Sequence, residues 1–227
     1  MKKRSKRYLT ALAKVEKNKA YSVSEAIEII QSNPTKFDPA VEVHMNLGID
    51  PKKSDQLIRA VVSLPHGTGK TKRVIAFVSP DQEAEAKEAG ADLIGNDEMI
   101  QKIKTTGKIE FDVAVATPMM MKKIGPIAKT LGQKGLMPNP KAETVGPDVK
   151  KMITAVKLGK IAYKNDESAN VHAMVGKVSF EKEKLVVNIQ TFIDSVRKSK
   201  PAASKGTYIK NAVICTTMGP SVKLNLV

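Results

Sequence analysis

The sequence is that of a basic globular protein with few aromatic residues. It has 227 residues, of which 41% are hydrophobic, and 38 lysines and arginines outnumber 23 aspartates and glutamates. This length and apolar content allow one large or two modest domains with a real core. The net charge of +15 predicts an anionic partner, with nucleic acid favoured over an anionic membrane. Aromatic residues make up 4% of the chain, which argues against a stacking platform with several exposed rings.

Cysteine usage and hydropathy predict the cellular location. Cys215 is the only cysteine, so no internal disulfide can form and a reducing cytosol is expected. The basic N-terminus leads into an apolar stretch that is too short for a signal core. No apolar run approaches the roughly 18 residues that a membrane-spanning helix needs. We therefore expect a cytoplasmic protein that does not enter a membrane.

The first 66 residues predict an α+β arrangement that follows a basic arm over Lys2 to Arg7. The expected elements, in chain order, are helices ending near Lys17 and Ile30 and strands over 41–47 and 57–64. Ser22 to Glu25 resembles a capping box, which marks the start of the second helix. The first strand alternates apolar and polar residues as a half-buried strand does, and we expect the second strand to pair with it. A glycine-rich linker is predicted at 65–71.

From Arg73 the pattern changes to alternating strands and helices. The wholly apolar run over 74–78 predicts a parallel strand that is buried on both faces, and 111–116 is predicted to be another buried strand. Helices are expected over 80–89, 97–104, 119–131 and 148–157, with a break at Gly125-Pro126. This alternation predicts a doubly wound, Rossmann-like α/β unit.

Beyond Gly159 the α+β pattern returns and ends in a hairpin. Strands are expected over 161–164 and 171–178, a helix over 182–197, and paired strands on either side of residues 216–220. The turn Thr216-Thr217-Met218-Gly219 places two hydroxyls, a flexible side chain and bare backbone at a strand end. Gly219 is the residue expected to tolerate a positive φ there. Taken alone, the turn is best interpreted as an ordinary exposed connection, because most turns only connect strands.

The two glycine-marked crossings divide the net charge into three parts. Residues 1–66, 67–159 and 160–227 carry +5, +4 and +6, respectively. The outer two pieces therefore hold +11 of the total. We expect the anionic partner to bind the outer pieces rather than the middle one.

The segment Gly67-Thr68-Gly69-Lys70-Thr71 resembles part of a nucleotide phosphate-binding loop. The full motif requires a further glycine at the position of Leu64, and it should open a helix, whereas a strand is predicted to follow. We therefore interpret the segment as a hinge. A nucleotide-dependent enzyme is kept only as an alternative to be tested.

The chain has no pattern that indicates catalysis or a bound metal. His44, His66 and His172 are far apart in sequence and only one cysteine accompanies them, so no ligand spacing is present. Nucleophile–base motifs and paired catalytic carboxylates are also absent from the sequence. We expect no enzyme activity, no cofactor and no metal.

Residues 131–141 form the most unusual segment of the middle piece. Two glycines and two prolines fix a particular loop there, which is either a structural Ω-like loop or a contact surface for RNA or protein. Together with Gly125-Pro126-Ile127-Ala128-Lys129, this segment resembles the signature of the family of ribosomal protein L-one, the large-subunit stalk proteins. Further motifs of that family follow in the right order: Lys36-Phe37-Asp38, Leu47-Gly48-Ile49-Asp50-Pro51, Val62-Ser63-Leu64-Pro65-His66-Gly67, Val115-Ala116-Thr117-Pro118 and Thr216-Thr217-Met218-Gly219-Pro220-Ser221.

The resemblance implies two domains, of which the first is discontinuous. Residues 1–66 plus 160–227 would form an α+β RNA-binding domain, and 67–159 would form an inserted α/β domain. Gly67, Gly69 and Gly159 fall where the hinge between them is expected.

The resemblance also implies a function in translation. The protein would bind large-subunit ribosomal RNA, form the mobile stalk near the tRNA exit site and assist release of deacylated tRNA. It would also act as a repressor by binding its own messenger RNA. We expect a monomer off the ribosome. The alternative of a different kind is a free-standing translational regulator or RNA chaperone that uses the same surface.

Carried onto this sequence, the family's RNA surface comprises Lys36, Phe37, Glu42, Lys53, Lys164, Asp166, Ser168, Thr216, Thr217, Met218 and Gly219. The lysines would neutralise phosphates, and the threonine hydroxyls would reach 2′-hydroxyls and phosphate oxygens. Met218 and Phe37 would lie against sugar or base faces, while Gly219 would permit close approach of the backbone. A core position for Phe37 is equally compatible with the sequence.

Two positions depart from the family pattern. After Asn165-Asp166 the family commonly continues Lys-Thr-Gly, where this chain has Glu167-Ser168-Ala169. Ala40 also occupies a position where a hydroxyl residue is common. The first change makes a phosphate contact at Glu167 doubtful, and the second removes one possible hydrogen bond. Weaker RNA binding is expected unless other residues compensate.

Overall fold

The computed structural model describes residues 4–16, 19–33 and 35–225. The helices are α1 (Lys6–Ala13), α2 (Val23–Gln31), α3 (Glu83–Glu88), α4 (Asp97–Thr106), α5 (Met120–Ile124), α6 (Ala128–Gln133), α7 (Val149–Lys157) and α8 (Lys182–Lys198). The strands are β1 (Ala40–Leu47), β2 (Arg59–Ser63), β3 (Val74–Phe77), β4 (Leu93–Ile94), β5 (Val113–Ala116), β6 (Lys160–Lys164), β7 (Asn170–Lys177), β8 (Ile209–Thr216) and β9 (Val222–Lys223). The mixed α/β class expected from the sequence is confirmed. Lys2, Lys3 and Lys17, in the expected arm and first helix, lie outside the described residues.

Local sequence signals explain where several helices begin and end. The capping box predicted for α2 is present, because the Ser22 Oγ accepts from the Glu25 amide at 3.3 Å and the Glu25 carboxylate accepts from the Ser22 amide at 2.9 Å. Gly107 ends α4 in the left-handed conformation that glycine favours. The expected break between α5 and α6 is a 3-10 turn over Gly125–Ile127.

The chain divides into two compact units. The first combines the described residues up to Gly69 with those from Ile161 onward, and the second spans Lys70–Lys160. The chain therefore passes from one unit to the other within three residues of the two glycine-marked crossings.

The main sheet of the first unit has the strand order β7-β1-β8-β9, and each neighbouring pair is antiparallel. Alternate residues of β1 are buried, as the period-2 pattern predicts, and they share a core with α2 and α8. Both helices pack against this sheet and against each other. One face of the sheet is thus covered by helices, while the residues between the buried ones point to the other face.

One strand pairing differs from the expectation. We expected the strand at 57–64 to be the companion of β1, but β2 pairs with β6 in a separate two-stranded sheet. Both sides of β1 are occupied by β7 and β8, which come from more than 120 residues further along the chain. Apolar alternation predicts that a segment is a strand, but it does not specify the partner.

The second unit has a parallel three-stranded sheet with the order β4-β3-β5. All four residues of β3 are buried, as its wholly apolar sequence predicts. One core cluster joins alternate residues of the sheet to α4, α5 and α6, and another joins the remaining ones to α3 and α7. Helices therefore cover both faces of this sheet.

A buried asparagine holds the chain where it leaves the first unit. Asn188 on α8 is fully buried, and its Nδ2 donates to the carbonyl oxygens of Gly67 at 2.9 Å and Val175 at 2.8 Å. Its Oδ1 accepts from the His66 amide at 3.2 Å. Gly69 has a φ of +71°, and a Cβ there would lie 2.9 Å from side-chain atoms of Lys177 and Phe180. This stretch is therefore firmly packed.

Candidate nucleic-acid interface

The face of the main sheet opposite α2 and α8 is polar and partly exposed. We call it the outer sheet face, and it consists of Glu42, His44 and Asn46 on β1, Asn170, His172 and Met174 on β7, and Asn211, Val213 and Cys215 on β8. Each β1 residue pairs with one residue of each flanking strand, so the nine side chains form three rows across the sheet. In one row, the Asn46 Nδ2 donates to the Asn170 Oδ1 at 2.7 Å. Amides, a carboxylate and imidazoles can donate to and accept from sugar hydroxyls and base edges.

The turn after β8 stands at one end of this face. The Gly219 amide donates to the Thr216 carbonyl at 2.8 Å, which closes a four-residue turn. The Thr217 amide donates to the Ala40 carbonyl at 3.0 Å, and the Thr217 Oγ1 accepts from the Ala40 amide at 3.1 Å. The turn is therefore fastened to the beginning of β1. Its two central residues, Thr217 and Met218, are exposed.

Met218 has an unusual backbone conformation for its residue type. Its φ is +68° and its side chain is 69% exposed. An unbranched residue in this left-handed region costs about 1–2 kcal/mol relative to a right-handed conformation. Arg7 donates from Nη2 to the Met218 carbonyl at 2.9 Å and helps to hold this arrangement. Residues held in strained backbone conformations cluster at functional sites.

Two details of the turn differ from the expectation. The positive φ falls on Met218 rather than on Gly219. Gly219 is needed for another reason, since a Cβ there would lie 2.2 Å from the Thr216 Oγ1. Thr216 is only 5% exposed, so its side chain lies beneath the turn rather than on the surface. Direct contact through the Thr216 hydroxyl is therefore disfavoured, and this residue supports the exposed pair.

Lys36 and Phe37 precede β1 at the same end of the sheet. Both are exposed, and Phe37 at 51% exposure is not a core residue. The next residue, Asp38, accepts from the Ser179 amide at 3.1 Å and from the Ser179 Oγ at 2.8 Å. The aromatic ring is thus presented to solvent from an anchored segment.

The loop before β7 lies at the opposite end of the outer sheet face. Asp166 Oδ1 accepts from the amides of Asn170 at 2.7 Å and Ser168 at 2.8 Å. These backbone hydrogen bonds, with that of Asn170 foremost, lower the pKa of the Asp166 carboxyl below its ordinary value. The carboxylate mainly shapes the loop, and the exposed Lys164 and Ser168 are presented around it.

Lysines line the surface at this second end. Lys53, Lys205 and Lys210 border an open depression of about 650 Å³, together with Asp50. A neighbouring depression of about 630 Å³ is bordered by residues that include Leu57 and Lys164. Such a concentration of positive charge suits a phosphate backbone.

The expected RNA-binding residues therefore fall into two groups. One group surrounds the turn beside Ala40, and the other surrounds the loop beside Leu47, whose amide donates to the Ala169 carbonyl at 2.9 Å. The eight residues of β1 separate the two groups by about 23 Å, at roughly 3.3 Å per residue. Of the expected residues, Glu42 lies on the sheet between them. The outer sheet face joins the two groups into one surface.

The sequence did not identify several polar residues of this surface. In the sequence Arg7 is only one residue of a basic arm, and His44, His172 and Cys215 are too far apart to be associated. The alternation in β1 could have indicated that His44 and Asn46 share a face with Glu42. Their neighbours on β7 and β8 could not be inferred without the strand pairing.

The segment that resembles a phosphate-binding loop has a structural role. Lys70 forms an ion pair with Asp112 at 3.3 Å. Asp112 also accepts from the Arg73 amide at 3.0 Å. The residues after Lys70 continue without a helix into β3, so no helix N-terminus faces a phosphate at this point.

Comparison with known proteins identifies the family of this chain. Residues 27–220 match the model of the Ribosomal protein L1p/L10e family, which is the family of ribosomal protein L-one. The chain belongs to this family. A relative from Kosmotoga olearia, described as large ribosomal subunit protein uL1, is 49% identical over 226 residues, covering 99% of this chain and 97% of the relative. The resemblance inferred from the motifs is thereby confirmed.

Family membership decides the broad class of function. The protein is a ribosomal protein that takes part in translation in the cytoplasm, and it is not an enzyme. Among the described residues, no helix is long and apolar enough to cross a bilayer.

Proposed function

We propose that the protein binds large-subunit ribosomal RNA through the outer sheet face and the two groups of residues at its ends. The observation that carries this proposal is Met218, an exposed apolar side chain in a strained conformation, in a turn that Thr217 fastens to β1 beside a polar sheet face. A folded RNA presents ribose hydroxyls, phosphates and base faces over a distance similar to the length of β1.

Each part of the surface has a separate task in this proposal. Met218 and Phe37 pack against sugar or base faces at one end, and Thr217 donates its hydroxyl proton there. Glu42 accepts from a 2′-hydroxyl, since an ionised carboxylate is an acceptor only. Lys36 neutralises phosphate at the first end, while Lys53 and Lys164 do so at the second.

We further propose that the two compact units act as separate domains of a mobile stalk near the tRNA exit site. The first, discontinuous unit is the RNA-binding domain, and the inserted unit assists release of deacylated tRNA. Because Gly67 and Gly69 are held by α8 and β7, the bending at this crossing is assigned to Lys70–Lys72, just beyond them. Gly159, with a φ of +107°, adjoins the return crossing.

The same RNA-binding surface is proposed to repress translation of the protein's own messenger RNA. A monomer that carries a single surface for both RNAs must bind them competitively. A free-standing regulator without a ribosomal site is the alternative, and it predicts that ribosomal RNA fails to displace the messenger fragment.

The test is filter binding of the full chain to a ribosomal RNA stalk fragment, with Met218→Asp as the variant. In the complex the Met218 side chain would be buried against the RNA, and burial of a methionine side chain is worth about 1.5–3 kcal/mol. The affinity of Met218→Asp for the RNA should therefore fall at least about tenfold. Met119→Asp is the matched control, since Met119 lies in the second unit and is 79% exposed. Equal affinity of the Met218 variant and the unchanged protein, with both folded, would contradict the proposal.

A further inference from the structure

Three potential metal ligands converge on the outer sheet face. Glu42 and His44 lie on β1, and Cys215 lies opposite Glu42 on β8. One donor atom from each residue lies within 4.8 Å of the other two. The His44 Nε2 is 3.2 Å from the Cys215 Sγ and 3.6 Å from the Glu42 Oε2.

A chain of hydrogen bonds fixes the proton on His44. The Asp166 carboxylate can only accept, so the His172 Nε2, 3.4 Å away, carries a proton. In a neutral His172 the Nδ1 is then an acceptor, and it lies 2.7 Å from the His44 Nδ1. The His44 Nδ1 must therefore be the donor. In a neutral His44 this leaves a lone pair on Nε2, which points at Glu42 and Cys215.

The three side chains of the cluster therefore offer more hydrogen-bond acceptors than donors to one another. The Nε2 lone pair and the Glu42 carboxylate are both acceptors, and among these three described side chains the Cys215 thiol supplies the one proton that they can share. A cation bound by all three groups would relieve this excess of negative charge and lone pairs.

We propose that Glu42, His44 and Cys215 form a binding site for Zn²⁺. Thiolate, imidazole and carboxylate are the donors that zinc takes, with bonds of about 2.3 Å to sulfur and about 2.0–2.2 Å to nitrogen and oxygen. Tetrahedral bonds of those lengths place the donor atoms about 3.4–3.6 Å apart, close to the 3.2 and 3.6 Å that separate the His44 Nε2 from the Cys215 Sγ and the Glu42 Oε2. Three protein ligands leave a fourth position for water.

Binding involves proton release and no redox change. The Cys215 thiol loses one proton to solvent as its sulfur bonds to the metal, while His44 and Glu42 already carry free electron pairs. His172 is a positioning residue, because its hydrogen bond to His44 fixes the ring and the tautomer. All three ligands lie on the outer sheet face that is proposed above to bind RNA, but zinc binding by the free protein does not depend on that function.

The experiment is titration of the reduced, metal-free full chain with Zn²⁺ in competition with a chromophoric chelator, together with the absorption spectrum of the Co²⁺ form. We expect one equivalent of metal to bind and a thiolate-to-cobalt charge-transfer band to appear. Cys215→Ser should abolish the band and weaken zinc binding more than about 100-fold. Loss of a residue that only supports a ligand weakens binding by up to about 100-fold, and loss of the ligand itself should cost more. His172→Ala should keep the band and weaken binding about 10–100-fold.

His66→Gln is the matched control, since His66 is exposed and lies outside the cluster; binding should be unchanged. Zinc should also slow alkylation of Cys215 in the unchanged protein, a measurement that needs no variant to fold. Absence of zinc binding, retention of full affinity in Cys215→Ser, or unprotected alkylation would each overturn the proposal.

Discussion

The strain at Met218 makes a prediction about stability that is separate from RNA binding. Glycine has no Cβ, so Met218→Gly removes about 1–2 kcal/mol of left-handed strain. It also adds about 0.5–1 kcal/mol of conformational entropy to the unfolded chain. Because the side chain is exposed, little packing is lost, and we expect a net stabilisation of about 0.5–1 kcal/mol. The measurement is urea unfolding of both proteins under identical conditions.

Met218→Ala is the control for this prediction. Alanine removes the same side chain beyond Cβ but keeps the strain, so stability should not rise. Both variants should weaken binding to the ribosomal RNA fragment, because both lack the apolar side chain. A glycine variant that is less stable than the alanine variant would show that the φ of +68° is not strained.

At the residue scale, the sequence predicted the position of the turn after β8 better than the structural roles of its residues. Thr217 and Met218 are exposed as expected, whereas Thr216 is buried beneath the turn. Gly219 was expected for its tolerance of positive φ, but it is required because Thr216 leaves no room for a Cβ. Composition identifies a turn, while the exact backbone angles depend on the strands and on contacts such as that of Arg7.

At the element scale, two aspartates join loop segments to the start of β3. Asp92 accepts from the Val74 amide at 2.8 Å and pairs with Lys157 at 3.3 Å. Asp112 accepts from the Arg73 amide and pairs with Lys70. These backbone hydrogen bonds are the main reason why the pKa of each carboxyl is lowered from 3.8, with the lysines adding to the effect.

We predict that the second unit loses stability in acid through these two groups. A lowered pKa in the folded state means that the ionised carboxylate is favoured by folding, so its contribution is complete above the unfolded value of 3.8. The contribution is lost as the pH falls through the lower, folded pKa. Hydrogen exchange of the Arg73 and Val74 amides, measured as a function of pH, should show this loss of protection.

Asp92→Asn with Asp112→Asn should flatten that pH dependence, because an amide does not titrate. The control is Asp81→Asn, an exposed aspartate of the same unit, which should leave the profile unchanged. An unaltered profile in the double variant would exclude the two carboxylates as its source.

Elements were easier to predict than their partners. The capping box of α2, the break before α6 and the buried β3 were all predicted from local patterns, because each depends on neighbours in sequence. The pairing of β2 was wrong, and the cluster of His44 with Cys215 was missed. Both depend on contacts between distant segments, which hydrophobic periodicity does not encode.

At the scale of the whole molecule, the motifs were sufficient to identify the family, while the charge distribution gives a test of where RNA binds. The first unit contains 22 basic and 12 acidic residues, and the second contains 16 and 11. The net charges are thus +10 and +5. A general electrostatic attraction would act through either unit, but direct phosphate contacts require particular lysines.

We predict that Lys53→Gln with Lys164→Gln reduces the salt dependence of binding to the ribosomal RNA fragment. Each phosphate contact contributes about 0.7–0.9 to the slope of log affinity against log salt, so the slope should fall by about 1.5 for the pair. The control is Lys122→Gln with Lys150→Gln, two exposed lysines of the second unit. The salt slopes of the two double variants are compared by filter binding at salt concentrations from about 50 to about 200 mM.

The two double variants lose the same net charge, so a nonspecific field effect would change both slopes equally. Contacts through the loop beside Leu47 would change only the first. A larger change in the Lys122 and Lys150 variant would assign the ribosomal RNA to the inserted unit, and the outer sheet face would then need another ligand. Met218 lies about 23 Å from Lys53 and Lys164 along β1. If the lysine double variant has a smaller salt slope and Met218→Asp has a lower affinity for the same RNA fragment, that one RNA must span the whole outer sheet face.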